Sequence, residues 1–246
     1  MAATLGALPA GAASVAADAD KELAAGHFQA ACQLYRLALA THRSDATILI
    51  NASRAYEGAG DLDEAIRRAR EAASFEPNNA DAHLALGHCL DMNRESKAAI
   101  LQFEVVLDIK NADLATHKAA YGPILRLLKH ETEWDNLAKM ARRGAREFPQ
   151  DPDSHFNAGW ALAQIPQASR METKDFQKIQ QEAISEYRKS IALGEKRPAV
   201  HLNLAMLLAD TGDIAHARQE LDNYVKLAPD EANRAEVKAL NVKIGN

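Results

Sequence analysis

The residues able to do chemistry in this 246-residue chain recur at fixed intervals instead of converging on one motif. His83, His117, His155 and His201 each stand near the start of a helical segment, and Asn51, Asn157 and Asn203 each stand two residues beyond that same place. A row of imidazoles suggests metal, but helices packed side by side hold equivalent atoms about 10 Å apart. Zinc needs its ligands at about 2 Å, so these histidines are expected to pack and to hydrogen-bond. His130-Glu131-Thr132-Glu133-Trp134 opens like a zinc-protease helix, yet Trp134 stands where the second imidazole is required. Gly58-Ala59-Gly60 follows a helical pattern and lacks the third glycine of a dinucleotide loop. No phosphate loop and no nucleophile elbow occurs. Cys32 and Cys89 have no CxxC spacing and read as small core residues. The expectation is a non-enzymatic protein with no cofactor and no metal.

The elements that carry these residues follow a 34-residue beat. Gly26 and Gly60 are 34 apart, as are Ala31, Ala65 and Ala99, then His83 and His117, then Ala183 and Ala217. Such a period marks a two-helix unit that cannot bury its own apolar face and must stack on its neighbours. In the clearest unit Tyr56 stands four residues before Gly60-Asp61, Ala65 follows five after the Gly, small residues run on through Ala69 and Ala72, and Pro77-Asn78-Asn79 closes it. Gly212-Asp213 with Ala217 and Pro229, and Gly26 with Phe28, Ala31, Tyr35 and Ala38, repeat the pattern. This combination resembles the tetratricopeptide repeat. The resemblance implies an all-α, right-handed superhelical solenoid of antiparallel helix pairs with small residues where the helices cross.

The frame gives six units, 12-45, 46-79, 80-113, 114-151, 152-197 and 198-231, and a cap helix over 231-243. The fourth and fifth units exceed the beat by 4 and 12 residues, which keeps helical phase. Gly122-Pro123 marks the extra turn in the fourth, and Thr173 is the expected N-cap of a long second helix in the fifth, leaving 165-172 as a loop. Residues 1-17 read as a flexible Ala/Gly-rich leader before a single array over 18-246. Ser14-Val15-Ala16 also fits the end of a truncated signal peptide. Cytoplasmic residence is the expectation, with export as the alternative.

The resemblance also implies where a partner would bind. The Asn positions face the concave groove of such arrays, and in the branch that transfers N-acetylglucosamine to proteins an asparagine ladder grips an extended peptide backbone. An amide offers two donors and an acceptor for that task without selecting a side chain. Ala85 and Ala119 break the ladder, and helix-helix hydrogen bonding remains an equal reading for Asn51, Asn157 and Asn203. Residues one before and three after each such place share the face: Ile50 and Arg54, Leu84 and His88, Phe156 and Trp160, Leu202 and Met206. The expected groove set is Asn51, Arg54, His88, Phe156, Asn157, Trp160, Asn203 and Met206. A carboxylate clamp of the kind that holds Hsp90-type acidic tails is not expected, because Ala16, Asp20, Asp81 and Ala85 stand where cations and amides are needed.

Composition fits this scheme. With 47% hydrophobic but only 5% aromatic residues, Ala-rich helix pairs suit the chain better than a sheet core. A net charge of −5 argues against non-specific nucleic-acid binding. The basic runs Arg67-Arg68-Ala69-Arg70 and Lys139 to Arg146 read as solvated faces of second helices. No segment is apolar enough to span a membrane. The expected function is a protein-protein interaction scaffold that holds a peptide or helix. The alternative is an assembly subunit of a secretion, pilus or envelope complex, in which the protein forms oligomers.

Overall fold

The computed structural model describes residues 10–165 and 173–245. Among these the chain is entirely helical, without a strand: α1 (Ala10–Ala24), α2 (Phe28–Thr41), α3 (Ala46–Ala59), α4 (Leu62–Phe75), α5 (Ala80–Met92), α6 (Ser96–Asp108), α7 (Leu114–His130), α8 (Trp134–Glu147), α9 (Pro152–Ala163), α10 (Thr173–Ala192), α11 (Pro198–Asp210), α12 (Ile214–Leu227) and α13 (Ala235–Lys243). A 3-10 turn over Pro229–Glu231 precedes α13. Residues 10–17, assigned to a leader by the sequence, are helical, consistent with the high helix propensity of Ala; residues 1–9 lie outside the described set.

Local chemistry sets the helix boundaries. Asp45, Asp61, Asn79, Asp151 and Asp213 are N-caps whose side chains accept a backbone N–H from the first turn. Gly60 and Gly212 close α3 and α11 with φ of 83° and 87°, a conformation that a side chain disfavours. The next residue, Asp, starts the following helix, so each turn needs only two or three residues and the paired helices run antiparallel. α7 is 17 residues long against 13 for α5 and runs through Pro123 as one helix. α10 is 20 residues long; Thr173 is its first residue, and whether a side chain caps it, like the expected loop beyond Ile165, lies outside the described residues.

The residues group into two compact units that meet within α7, the first ending at Leu127 and the second beginning at Leu128. In the first, α1 pairs with α2, α3 with α4 and α5 with α6, while α2 packs on α3 and α4 on α5. The first helices also touch in order, α1 against α3 and α3 against α5. In the second unit α9 pairs with α10 and α11 with α12, α8 lies against α9, and α13 lies on α11.

Small residues occupy the crossings: Ala31, Ala65, Ala99, Ala183 and Ala217 are all fully buried. Large rings fill the spaces between them, with Tyr35, Phe103, Tyr187 and Tyr224 among the bulkiest buried side chains. Gly87 and Gly159 make room for two of these rings. A Cβ on Gly87 would lie 2.6 Å from Phe103 Cε1, and one on Gly159 2.8 Å from Tyr187 Cδ1. In α13 Val237 and Leu240 are buried, as is Ile244 just past its end, while Val242 is 78% exposed. That helix turns an apolar stripe to the stack and a mixed face to water.

Candidate functional site

The four histidines fasten helices. His83 Nδ1 pairs with Gln102 Oε1 at 2.8 Å, and its Nε2 donates to the Pro77 carbonyl at 3.1 Å. His155 repeats this with Glu186 at 2.5 Å and the Pro149 carbonyl at 3.0 Å. His201 meets Glu220 at 2.6 Å, and His117 reaches the Ile109 carbonyl at 3.0 Å. Each imidazole therefore joins its first helix to its second helix, to the preceding turn, or to both.

In the first unit, the face carried by the first helices presents Asn51, Arg54 and His88. Asn51 is not open. Its amide donates to Asp20 Oδ1 at 3.0 Å and its oxygen accepts from Arg54 Nη1 at 3.2 Å. The same Asp20 oxygen accepts the Tyr35 hydroxyl at 2.6 Å. Burial and this carboxylate push the Tyr35 hydroxyl well above its usual range, so it stays protonated and donates. Arg54 is exposed.

His88 is half-buried, edge-on to Phe103 with centroids 5.2 Å apart. Burial lowers its pKa below the ordinary 6.5, opposed by Glu57 and Asp91. Beneath it Ser53 Oγ and Cys89 Sγ lie 3.3 Å apart in the core. Burial, aided by Glu57, pushes that thiol up to about 11, so it is not a nucleophile at neutral pH. Ile50, expected on the same face, is only 5% exposed. α3 has α1 on one flank and α5 on the other, so a residue one place off the centre of the face is covered.

The second unit presents Phe156, Asn157, Trp160, Asn203 and Met206 from α9 and α11, which touch each other. Phe156 packs edge-on against Tyr187 at 6.0 Å, and the Arg197 guanidinium lies 4.1 Å from its ring centroid. Arg197 is itself held by Glu195 at 2.5 Å and Asp153 at 2.7 Å. Lys129 Nζ sits 5.2 Å over the Trp160 ring. Both aromatics are half-buried, and Met206 is 42% exposed. Asn203 is half-buried, and burial raises the pKa of the Tyr187 hydroxyl, with Asn203 opposing that shift. Asn157 is half-buried, and its amide has no hydrogen-bond partner among the described residues.

The three asparagines are thus not equivalent. Asn51 ties α3 to Asp20 of the preceding first helix, α1, and both Asn51 and Asn203 lie 16 residues after a buried Tyr, Tyr35 or Tyr187. Sequence reasoning missed Asp20 as the acceptor shared by Tyr35 and Asn51, and missed Lys129 and Arg197 as cations laid on the two aromatic faces. The repeated Tyr-to-Asn spacing was the available signal for the first. Nothing local announces the cations.

The basic runs also differ from expectation. Arg142 makes a bidentate pair with Glu182 of α10, at 2.8 and 2.7 Å, and Arg68 is only 14% exposed at its side chain. Both lie between neighbouring second helices, where a long aliphatic stem covers apolar surface while its head stays paired.

Family models described as tetratricopeptide repeat match residues 58–121 and 198–231. A search of curated protein sequences gave no match. Among solved structures, the chain is similar to the C-terminal part of a TPR repeat-containing protein from Cytophaga hutchinsonii, at 16% identity over 93% of each chain and a TM-score of 0.66. It is similar to YrrB, described as a TPR protein with an unusual peptide-binding site, at 17% identity over 80% of this chain and 93% of that one, with a TM-score of 0.60. MamA from Desulfovibrio magneticus RS-1 is similar at 17% identity over 76% of this chain and 96% of that one, with a TM-score of 0.58.

Proposed function

This chain belongs to the tetratricopeptide-repeat family, and we propose that it is a non-enzymatic interaction scaffold whose second unit binds a peptide or helix on the face of α9 and α11. One observation carries the reading: Trp160, Phe156 and Met206 remain partly exposed around an Asn157 amide that has no partner among the described residues. A half-buried amide without a partner invites a peptide backbone, which offers both a donor and an acceptor. Trp and Met beside it supply the apolar anchors that dominate such interfaces. Lys129, over the Trp160 ring, adds a positive rim.

Asn51, Arg54 and His88 form the corresponding face of the first unit. With Asn51 already engaged by Asp20 and Arg54, Arg54 and His88 are the groups left for a ligand there. Acidic tails of the Hsp90 type are not the proposed partner, because Asp20 lies exposed on α1 and Asp81 on α5 where they would repel a carboxylate. Neither nucleic acid nor a membrane is proposed as a partner. Among the described residues no helix is long and apolar enough to cross a membrane.

The test is an Asn157→Ala, Trp160→Ala double variant compared with the parent chain by quantitative pull-down and mass spectrometry. Partners should fall about 30-fold or more in recovery, the effect of losing about 2 kcal/mol at a hot spot, while helical circular dichroism is retained. An unchanged partner list from a folded variant would remove the proposal.

A further inference from the structure

A second surface lies away from the first-helix faces. Between α2 and α4, on the side carried by the second helices of the first unit, is a cleft of about 370 Å³ lined by Arg36, Leu39, Arg43, Arg68, Glu71 and Phe75. Leu39 is 6% exposed and forms an apolar floor, while Phe75, the last residue of α4, stands 51% exposed at the edge. A half-exposed phenylalanine beside a recess is an unfilled anchor.

The charge around that recess is one-sided. Arg36 and Arg43 are exposed, and neither has an ion-pair partner among the described residues. Arg68 is engaged only at its far end, by Glu71 at 3.1 Å and Glu64 at 3.5 Å, and its Nε is buried with no acceptor. Glu71 is shared again with Arg67 at 3.6 Å. Three guanidinium groups therefore line the cleft against one carboxylate, in a chain whose net charge is −5. In an acidic protein such a local excess of Arg repels other copies of the chain less than the rest of its surface does, and it attracts carboxylates.

From this we infer a docking site for an acidic peptide segment, extended, with an apolar side chain between two carboxylates. The carboxylates pair with Arg36 and Arg43, and the apolar group covers Leu39 and stacks on Phe75. Arg36 lies in the last two turns of α2 and Arg43 two residues past its end at Thr41, a separation on the order of 10 Å, the reach of about three residues of extended chain. A Glu-x-x-Glu spacing with apolar residues at x meets both charges. Planar bidentate pairing makes Arg the suitable cation for this task.

The experiment uses the full chain and a fluorescein-labelled peptide, Gly-Ser-Glu-Leu-Phe-Glu-Gly-Ser-Gly, followed by fluorescence anisotropy at low salt. The control peptide carries Gln in place of both Glu residues. Saturable binding of the Glu peptide is expected, at least about tenfold tighter than that of the Gln peptide and weakening as salt rises. The Arg36→Glu, Arg43→Glu double variant should lose about tenfold or more and Phe75→Ala about threefold. All three positions are exposed enough for the chain to stay folded, which circular dichroism checks. Trp160→Ala should bind the peptide as the parent does, so failure of this site and failure of the α9 and α11 site are told apart. No saturable binding, equal binding of the two peptides, full binding by the charge-reversed variant, or loss of binding in Trp160→Ala would each overturn the inference.

Discussion

His88 shows how one side chain reports its surroundings. Its imidazole is half-buried against Phe103, and burial holds it below its ordinary pKa of 6.5 despite Glu57 and Asp91. The unfolded chain, free of that burial, takes up a proton there as pH falls through about 6.5 while the folded chain resists it. Protonation therefore favours unfolding, and this contribution is complete above the window and is lost below it. In thermal melts at about pH 7.5 and about pH 5.5, His88→Gln should show a smaller acid-induced fall in Tm than the parent; equal falls would show that the imidazole is not so perturbed. At the same scale, spacing alone located Asn51, Asn157 and Asn203, yet it could not tell them apart. Whether Asn51 is engaged depends on Asp20, which lies 31 residues away in sequence.

The turn between paired helices carries its own register. Gly26, Gly60 and Gly212 stand there with φ of 76°, 83° and 87°, and the third and fourth hairpins put Arg94 and Thr132 in the same left-handed region at 63° and 58°. A β-branched residue is strained in that region, more than Arg is. Thr132→Gly should raise stability by about 1 kcal/mol and Arg94→Gly by less, read as a shift in urea midpoint at constant slope. A destabilised Thr132→Gly would mean that its side chain contributes more than the strain costs. Helix positions were legible because caps, turn glycines and the alanine column all recur on one beat. Ile50 was not placed correctly, because a residue beside the centre of a helix face is exposed or covered according to how closely the flanking helices approach. The role of Arg142 was hidden for a related reason: its partner Glu182 stands on a neighbouring second helix, 40 residues on, that no short window of sequence contains.

For the molecule as a whole, stability is a sum over neighbouring hairpins, and the α11 and α12 hairpin has an apolar flank that needs a cover. α13 supplies it through Val237, Leu240 and Ile244, with Arg218 Nη2 donating to the Ile244 carbonyl at 2.9 Å and Lys243 paired to Asp210. Removing residues 232–246 should cost up to about 4.5 to 9 kcal/mol in the second unit, the upper estimate for burying three such side chains at about 1.5 to 3 kcal/mol each. It should also make sedimentation more concentration-dependent than that of the parent, since α11 would then show its apolar flank to water. A shortened chain that sediments like the parent would show that α13 is dispensable as a cap. The imidazole contacts have a mechanical corollary. Because His83 grips the Pro77 carbonyl and His155 the Pro149 carbonyl, an unfoldase pulling on one end meets a row of fasteners within each unit, and each must part before the next comes under load.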